Sequence, residues 1–230
     1  MRLLDGFCGA GGAAKGYQRA GFYVVGVDIK PQPRYCGDEF HQGDALAYIR
    51  DHGHEFDVIH TSPPCQVYSV TSALSNQGHL ALIDPTRTAL LETGKPYIIE
   101  NVPGAPLTEP LMLCGTMFGL RVIRHRLFET SPRFTFAPAS CNHWGKSSAC
   151  GRGGGGKYTR GTLKNFAFIT VVGNDYIAAD GRKAMGIDWM TKKELSQAIP
   201  PAYTEFIGRQ LMDVLRNNSS ACYASPPGRD

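Results

Sequence analysis

No apolar run in this chain approaches membrane length, and the N-terminus, Met1-Arg2-Leu3-Leu4-Asp5, becomes charged within five residues. Neither a bilayer span nor a secretory signal is therefore expected. Disulfides are not expected either. Seven cysteines is an odd number at irregular spacing, and a chain of 230 residues buries a core without covalent staples. These absences predict a soluble protein of a reducing, cytoplasmic compartment; a monomer is expected. Acids are scarce in one place: between Arg121 and Lys164 stand nine basic residues and a single acid, Glu129. That segment carries +8 while the rest of the chain carries −4. A basic patch on a mildly acidic body is the footprint of a polyanion such as nucleic acid, although a solvated basic loop has the same composition.

With 42% hydrophobic and 19% charged residues, the chain suits one globular domain with a small insertion. Strand-like and helix-like pieces alternate over the first hundred residues. Strands are expected at Arg2 to Asp5, Tyr23 to Asp28, Phe56 to Thr61 and Tyr97 to Glu100. Helices are expected at Gly12 to Ala20, Asp44 to His52 and from an Asp84-Pro85 cap to Glu92. This alternation predicts an α/β fold, a doubly wound and mostly parallel sheet. Residues 131–165 show no sustained period and centre on Gly151 to Lys157, a flexible link or a phosphate-binding nest, and read as an irregular basic insertion. Residues 166–216 then complete the first unit, 1–130. They contain a strand over Phe166 to Val172, a Thr191/Glu194 capping box and a last amphipathic helix over Tyr203 to Arg216. A disordered tail is expected from Asn217.

Three places carry chemistry. The first strand enters Gly6-Phe7-Cys8-Gly9-Ala10-Gly11-Gly12, where glycines permit positive φ and close approach of a nucleotide-like ligand. Asp28 closes the second strand, near the spacing at which an acid meets ribose hydroxyls. Asp44 follows the third strand position and could meet an adenine amine, so the three together predict an adenosine-containing cofactor. The third place is Thr61-Ser62-Pro63-Pro64-Cys65-Gln66. Two prolines stop an apolar strand and hold Cys65 at its carboxyl end, where open α/β sheets keep their active sites. Cys65 is a candidate nucleophile, against the alternative of a thiol that merely fills space.

In order along the chain, Asp5 to Gly12, Pro63 to Ser69, Glu100-Asn101-Val102 and Arg124-His125-Arg126 resemble the motifs of the DNA cytosine C5-methyltransferases. The match covers residues 2–128, with a fainter echo at 185–208. The resemblance implies a Rossmann-like fold and S-adenosyl-L-methionine as donor, held by Asp5, Phe7, Cys8, Gly9, Gly11, Gly12, Asp28, Ile29, Asp44, Ala45 and Pro63. It implies Cys65 as the thiolate that attacks cytosine C6, Glu100 as the acid at N3, and Arg124 and Arg126 at the base carbonyl and neighbouring phosphate. Double-stranded DNA is the implied partner. Pro64, Gln66, Ser69 and Asn101 would stand on the DNA side or support the Cys65 loop, and Arg152, Lys157 and Arg160 would contact phosphates.

Departures from the family pattern are informative. Gly6 stands where leucine is usual, Asp28 where glutamate is, and Val122 where a glutamine precedes the arginine pair. The Gly-Asn-x-Val element is replaced by Ile199-Pro200-Pro201-Ala202-Tyr203. The recognition region is short, with His143, Trp144 and Tyr158 as candidate base contacts, which predicts a context of about two or three base pairs. Such compact forms look like phage or prophage methylases acting in a bacterial or infected cell. Two other activities stay open: methylation of an amino group on cytosine or adenine, whose enzymes share a Ser-Pro-Pro start, and C5 methylation of free cytidine nucleotides. Cys141, His143 and Cys150 fit no standard finger and need a fourth ligand from Cys114 or His125, so no metal is expected.

Overall fold

Alternating side chains on the central strands divide into two apolar sets, and the chain covers each set with its own helices. The computed structural model describes residues 1–64, 81–133, 138–145, 147, 162–173 and 175–222. Strands β1 (Arg2–Gly6), β2 (Tyr23–Asp28), β3 (Glu39–Gln42), β4 (Val58–Thr61), β5 (Tyr97–Asn101), β6 (Leu111–Leu113) and β7 (Arg126–Ser131) form a seven-stranded sheet in the order β3-β2-β1-β4-β5-β7-β6. The first five run parallel, whereas β7 is antiparallel to both β5 and β6. Helices are α1 (Gly12–Arg19), α2 (Ala45–His52), α3 (Ile83–Thr93), α4 (Ala178–Met185), α5 (Lys192–Gln197) and α6 (Pro201–Cys222).

Leu3, Val24, Val58 and Ile98 pack with Tyr17 of α1 and with Tyr203 and Ile207 of α6 on one face. Leu4, Val25, Ile59 and Ile99 pack with Ile49 of α2 and Leu90 of α3 on the other. Burying both faces is what lets the strands be apolar on both sides. α1 lies unusually close to α6. A methyl on Gly16 would come within 2.1 Å of the Pro201 carbonyl, and Thr204 Oγ1 donates to the Ala13 carbonyl at 2.8 Å. Strand order reverses at β1 and β4, so a crevice opens at their carboxyl ends, where ligands bind in such sheets.

The parallel sheet and the Thr191/Glu194 capping box match expectation. Several elements differ. Phe166 to Val172 forms only isolated bridges, Val122 with Ile169 and Ser147 with Phe168, and does not join the sheet. Asp84 and Pro85 lie inside the first turn of α3 rather than capping it; Leu82 is the cap. β6, β7 and α4 are additional, and α6 runs past Arg216 to Cys222, leaving 223–230 outside the described residues. Among the described residues no helix is long and apolar enough to cross a membrane.

Candidate active site

The glycine-rich turn leaves β1 with Phe7 in the left-handed region at φ 59°. A bulky side chain there costs on the order of 1–3 kcal/mol and is held only where the surroundings fix it. Its three later glycines have different tasks. Gly9, at φ +50°, borders open space. Gly11, at φ +85°, lies against Cys36, which would be 2.9 Å from an added methyl, and Gly12 abuts the Ile199 carbonyl. Of the glycines predicted to line a cofactor, Gly9 faces the crevice, while Gly11 and Gly12 permit packing. Cys8 and Ala45 are also core residues, and burial pushes the Cys8 thiol far up, beyond useful reactivity.

Asp28 is tied into the turn: the Gly9 N–H donates to Oδ2 at 3.0 Å and the Lys30 N–H to Oδ1 at 2.9 Å. The next residue, Ile29, is 68% exposed. Asp44 is exposed and caps α2, its Oδ1 accepting from the Leu46 and Ala47 N–H groups, so the helix explains it without a ligand. Beneath the turn, Asp5 is fully buried, and neither carboxylate oxygen makes a well-formed hydrogen bond among the described residues. Burial and the nearby Asp28 and Glu100 charges raise its pKa well above the carboxylate range, against a smaller opposing effect of the Ala14 backbone.

β4 delivers Ser62 and Pro63 to the same crevice. The Ser62 N–H donates to the Gly6 carbonyl at 3.1 Å. Asn101, buried at the end of β5, donates from Nδ2 to the Pro63 carbonyl at 3.0 Å while its Oδ1 accepts from the Val102 N–H. Asn101 is thus directed into the loop rather than toward DNA. Pro64 is exposed beyond it. Cys65, Gln66 and Ser69 lie outside the described residues, as do Cys150, Arg152, Lys157, Tyr158 and Arg160.

Glu100, also buried, has Oε1 3.0 Å from Nε of Arg126, close enough for an ion pair but poorly aligned for a hydrogen bond. Burial raises its pKa; Arg126, a hydrogen bond from Ser62 and the charge of Arg124 pull it back only in part. Ser62 Oγ lies 3.1 Å from Nε2 of His60, whose Nδ1 is 3.0 Å from the Tyr17 hydroxyl. Burial pushes His60 down to about 3, so the ring is neutral. With Glu100 ionised, Tyr17 donates to Nδ1, Nε2–H donates to Ser62, and Ser62 donates to Glu100. Sequence reasoning missed this relay, although a histidine within the apolar run Val58-Ile59-His60 was its visible sign.

The two arginines of the Arg-x-Arg pair separate. Arg124 is buried and donates to the Val171 and Ser196 carbonyls, each at 2.8 Å, while its own carbonyl accepts from the Tyr203 hydroxyl at 2.6 Å. Its expected role at the substrate is corrected: it fastens the 171–196 segment to the sheet. Among the described residues Arg126 makes the ion pair with Glu100, which Arg124 reaches only through its charge. The +8 segment is correspondingly less available than its composition implied. Arg121 donates to the carbonyls of Leu163, Phe166 and Ala167, and Arg133 pairs with Glu109. A further departure is that Cys114, His125, Cys141 and His143 converge, their ligand atoms all within 4.8 Å of one another. Cys114 and His125, the two residues that could complete a ligand set with Cys141 and His143, are brought to them by the fold, a convergence that local spacing does not reveal.

No protein-family model and no curated protein sequence matches the chain. In three dimensions it is similar to a candidate DNA modification methyltransferase encoded within an E. coli prophage. The TM-score is 0.63 at 16% identity, over 94% of this chain and 99% of that one. It is also similar to the S. pombe Dnmt2 methyltransferase, with a TM-score of 0.59 at 12% identity over 93% and 99% of the two chains. The architecture is that of a Rossmann-like methyltransferase.

Proposed function

We propose that the protein transfers a methyl group from S-adenosyl-L-methionine to C5 of cytosine in double-stranded DNA, within a short sequence context. The observation that carries this reading is the buried Glu100–Arg126 pair beside Asn101, which holds the Pro63 carbonyl at the root of the Pro-Cys-Gln loop. The fold of methyltransferases that the chain resembles supports the reaction class.

The crevice fits the donor. Gly9 borders open space over the turn, exposed Ile29 offers an apolar surface for a base, and Asp28 keeps lone pairs for a ribose diol. The unsatisfied Asp5 carboxylate below suits a cationic ligand. When bound, S-adenosyl-L-methionine supplies an electrophilic methyl on a sulfonium sulfur.

The rest is the work of this chain's residues and the base. Cytosine C5 is a poor nucleophile within the aromatic ring. Addition of the Cys65 thiolate to C6 forms a sulfur–carbon bond and moves the ring π-electrons toward C5 and N3. Glu100, kept protonatable by burial, donates to N3 as that charge develops, and Arg126 holds the carboxyl and the adjoining base carbonyl. Once C5 carries the methyl group, loss of its proton to a base returns the electron pair and expels the thiolate. Because C5 and C6 lie inside a stacked duplex, the nucleotide must be rotated out, at a cost of a few kcal/mol that phosphate contacts offset.

The test is incubation with labelled S-adenosyl-L-methionine and a duplex containing 5-fluorocytosine, whose C5 cannot lose a proton. A covalent adduct mapping to Cys65 and abolished in Cys65→Ser is the expected result. N4-methylcytosine formed without an adduct, or activity confined to free dCMP, would replace this reading with an amino-methylating or nucleotide-level enzyme. Sequencing of converted DNA checks the context: a strict six-base-pair site would contradict the short recognition region.

A further inference from the structure

We propose that Cys114, His125, Cys141 and His143 form a zinc site that fastens the segment following β7 to the sheet. Two soft thiols and two imidazoles are the donor set that tetrahedral structural zinc takes. Cys114 Sγ lies 3.3 Å from Nε2 of His143, and Cys141 Sγ lies 3.8 Å from Nε2 of His125. A tetrahedron with Zn–S of about 2.3 Å and Zn–N of about 2.0–2.1 Å sets neighbouring sulfur and nitrogen ligands about 3.5 Å apart. The two measured separations straddle that value. Four protein ligands close the coordination sphere, so the site is structural rather than catalytic.

The ligands come from three parts of the chain. Cys114 is buried directly after β6, His125 directly precedes β7, and Cys141 and His143 stand on the segment 138–145. The Thr116 hydroxyl is 3.5 Å from Cys114 Sγ, placed to support a thiolate, and the Asn142 N–H donates to Thr116 Oγ1 at 3.2 Å. Segment 138–145 is largely exposed and has no regular secondary structure, so it has little apolar burial of its own to hold it there. A metal ion supplies that missing attachment. His125 connects this corner to the candidate active site, because its carbonyl accepts from Arg126 Nη1 at 2.8 Å and Arg126 faces Glu100. The same attachment would hold Trp144, 89% exposed, on the outer surface of this corner. His143, anticipated as a base contact, is instead a ligand.

The experiment measures metal by mass spectrometry on untagged, reduced protein produced with zinc in the medium. About one zinc ion per chain is expected, with loss of at least nine-tenths of it in a Cys141→Ser/His143→Ala double variant. Both changes are on the exposed segment, and far-ultraviolet circular dichroism checks that the sheet remains. Cys222→Ser should retain the metal. Replacement by cobalt should give the visible absorption of a tetrahedral thiolate site. Reduced wild-type protein without zinc, a double variant with undiminished zinc, or a Cys114–Cys141 disulfide in place of metal binding would each overturn the proposal. None of these readouts depends on methyl transfer, so the site stands or falls separately from the proposed activity.

Discussion

Ser62 Oγ lies 3.1 Å from Nε2 of His60 and donates to Glu100, so one hydroxyl joins the proposed acid to a neutral histidine within the sheet. That hydrogen bond favours the ionised carboxylate. Ser62→Ala should therefore raise the Glu100 pKa further. If protonated Glu100 is the active form, the falling limb of the single-turnover pH–rate profile moves to higher pH. Glu100→Gln should remove that limb and slow the reaction by about 10²–10⁴-fold. A limb that moves down in Ser62→Ala would place the proton elsewhere.

His60 itself predicts acid sensitivity. Burial lowers its folded-state pKa from 6.5 to about 3. The unfolded chain therefore binds the proton first, and stability present above about 6.5 is lost as pH falls toward about 3. The slope from this one group is at most about 1.4 kcal/mol per pH unit. His60→Gln keeps hydrogen-bonding partners for Tyr17 and Ser62 but does not titrate. Urea unfolding at several pH values between 7 and 4 should show a shallower decline in the variant than in the wild type.

Arg124 and Arg126 should respond oppositely. A lysine at 124 cannot bridge the Val171 and Ser196 carbonyls as the planar guanidinium does. Arg124→Lys should cost about 1–3 kcal/mol in urea unfolding, by leaving a buried acceptor without its donor. Arg126→Lys should change stability little and slow adduct formation on 5-fluorocytosine DNA. Equal stability losses in the two would contradict the division of roles.

The separation of these arginines marks where sequence reading stops. The parallel core was legible because β-α alternation is local and repeated; Asp28 was read from its place at a strand end, whereas Asp5, Glu100 and Asn101 entered through the resemblance of their motifs to a known family. Arg124 was not, since its partners are 47 and 72 residues away. Cys114 and His125 join Cys141 and His143 only after β6 and β7 fold back along the sheet edge. β6 has three residues, too few to carry a period. Phe166 to Val172 has strand composition, but its partners are Val122 and Ser147, outside the sheet.

Asn101 should act on the loop rather than on the donor. Its amide holds the Pro63 carbonyl, two residues ahead of Cys65. In Asn101→Asp the group facing that carbonyl becomes an acceptor, which repels it. Adduct formation should slow by about 10–100-fold, a scale that small misplacements of reacting groups produce. The dissociation constant of S-adenosyl-L-methionine should hold within about threefold, a change below 1 kcal/mol. A matching loss of donor affinity would instead assign Asn101 to the cofactor side.

Asp5 is fully buried, and neither of its carboxylate oxygens makes a well-formed hydrogen bond among the described residues. Because its folded-state pKa is raised, the native state holds the proton more tightly than the unfolded chain. The resulting stability is complete below the ordinary carboxylate range and is lost as pH rises through the raised value. Asp5→Asn abolishes this loss, so the variant should melt higher than wild type at pH 8, with the gap closing toward pH 4. The same substitution should weaken binding of S-adenosyl-L-methionine, whose sulfonium carries a positive charge, more than binding of the uncharged thioether product. Calorimetry with both ligands separates the two effects. Equal weakening would mean that Asp5 supports the shape of the glycine turn, whereas selective loss of the cationic ligand assigns the buried carboxylate to charge recognition.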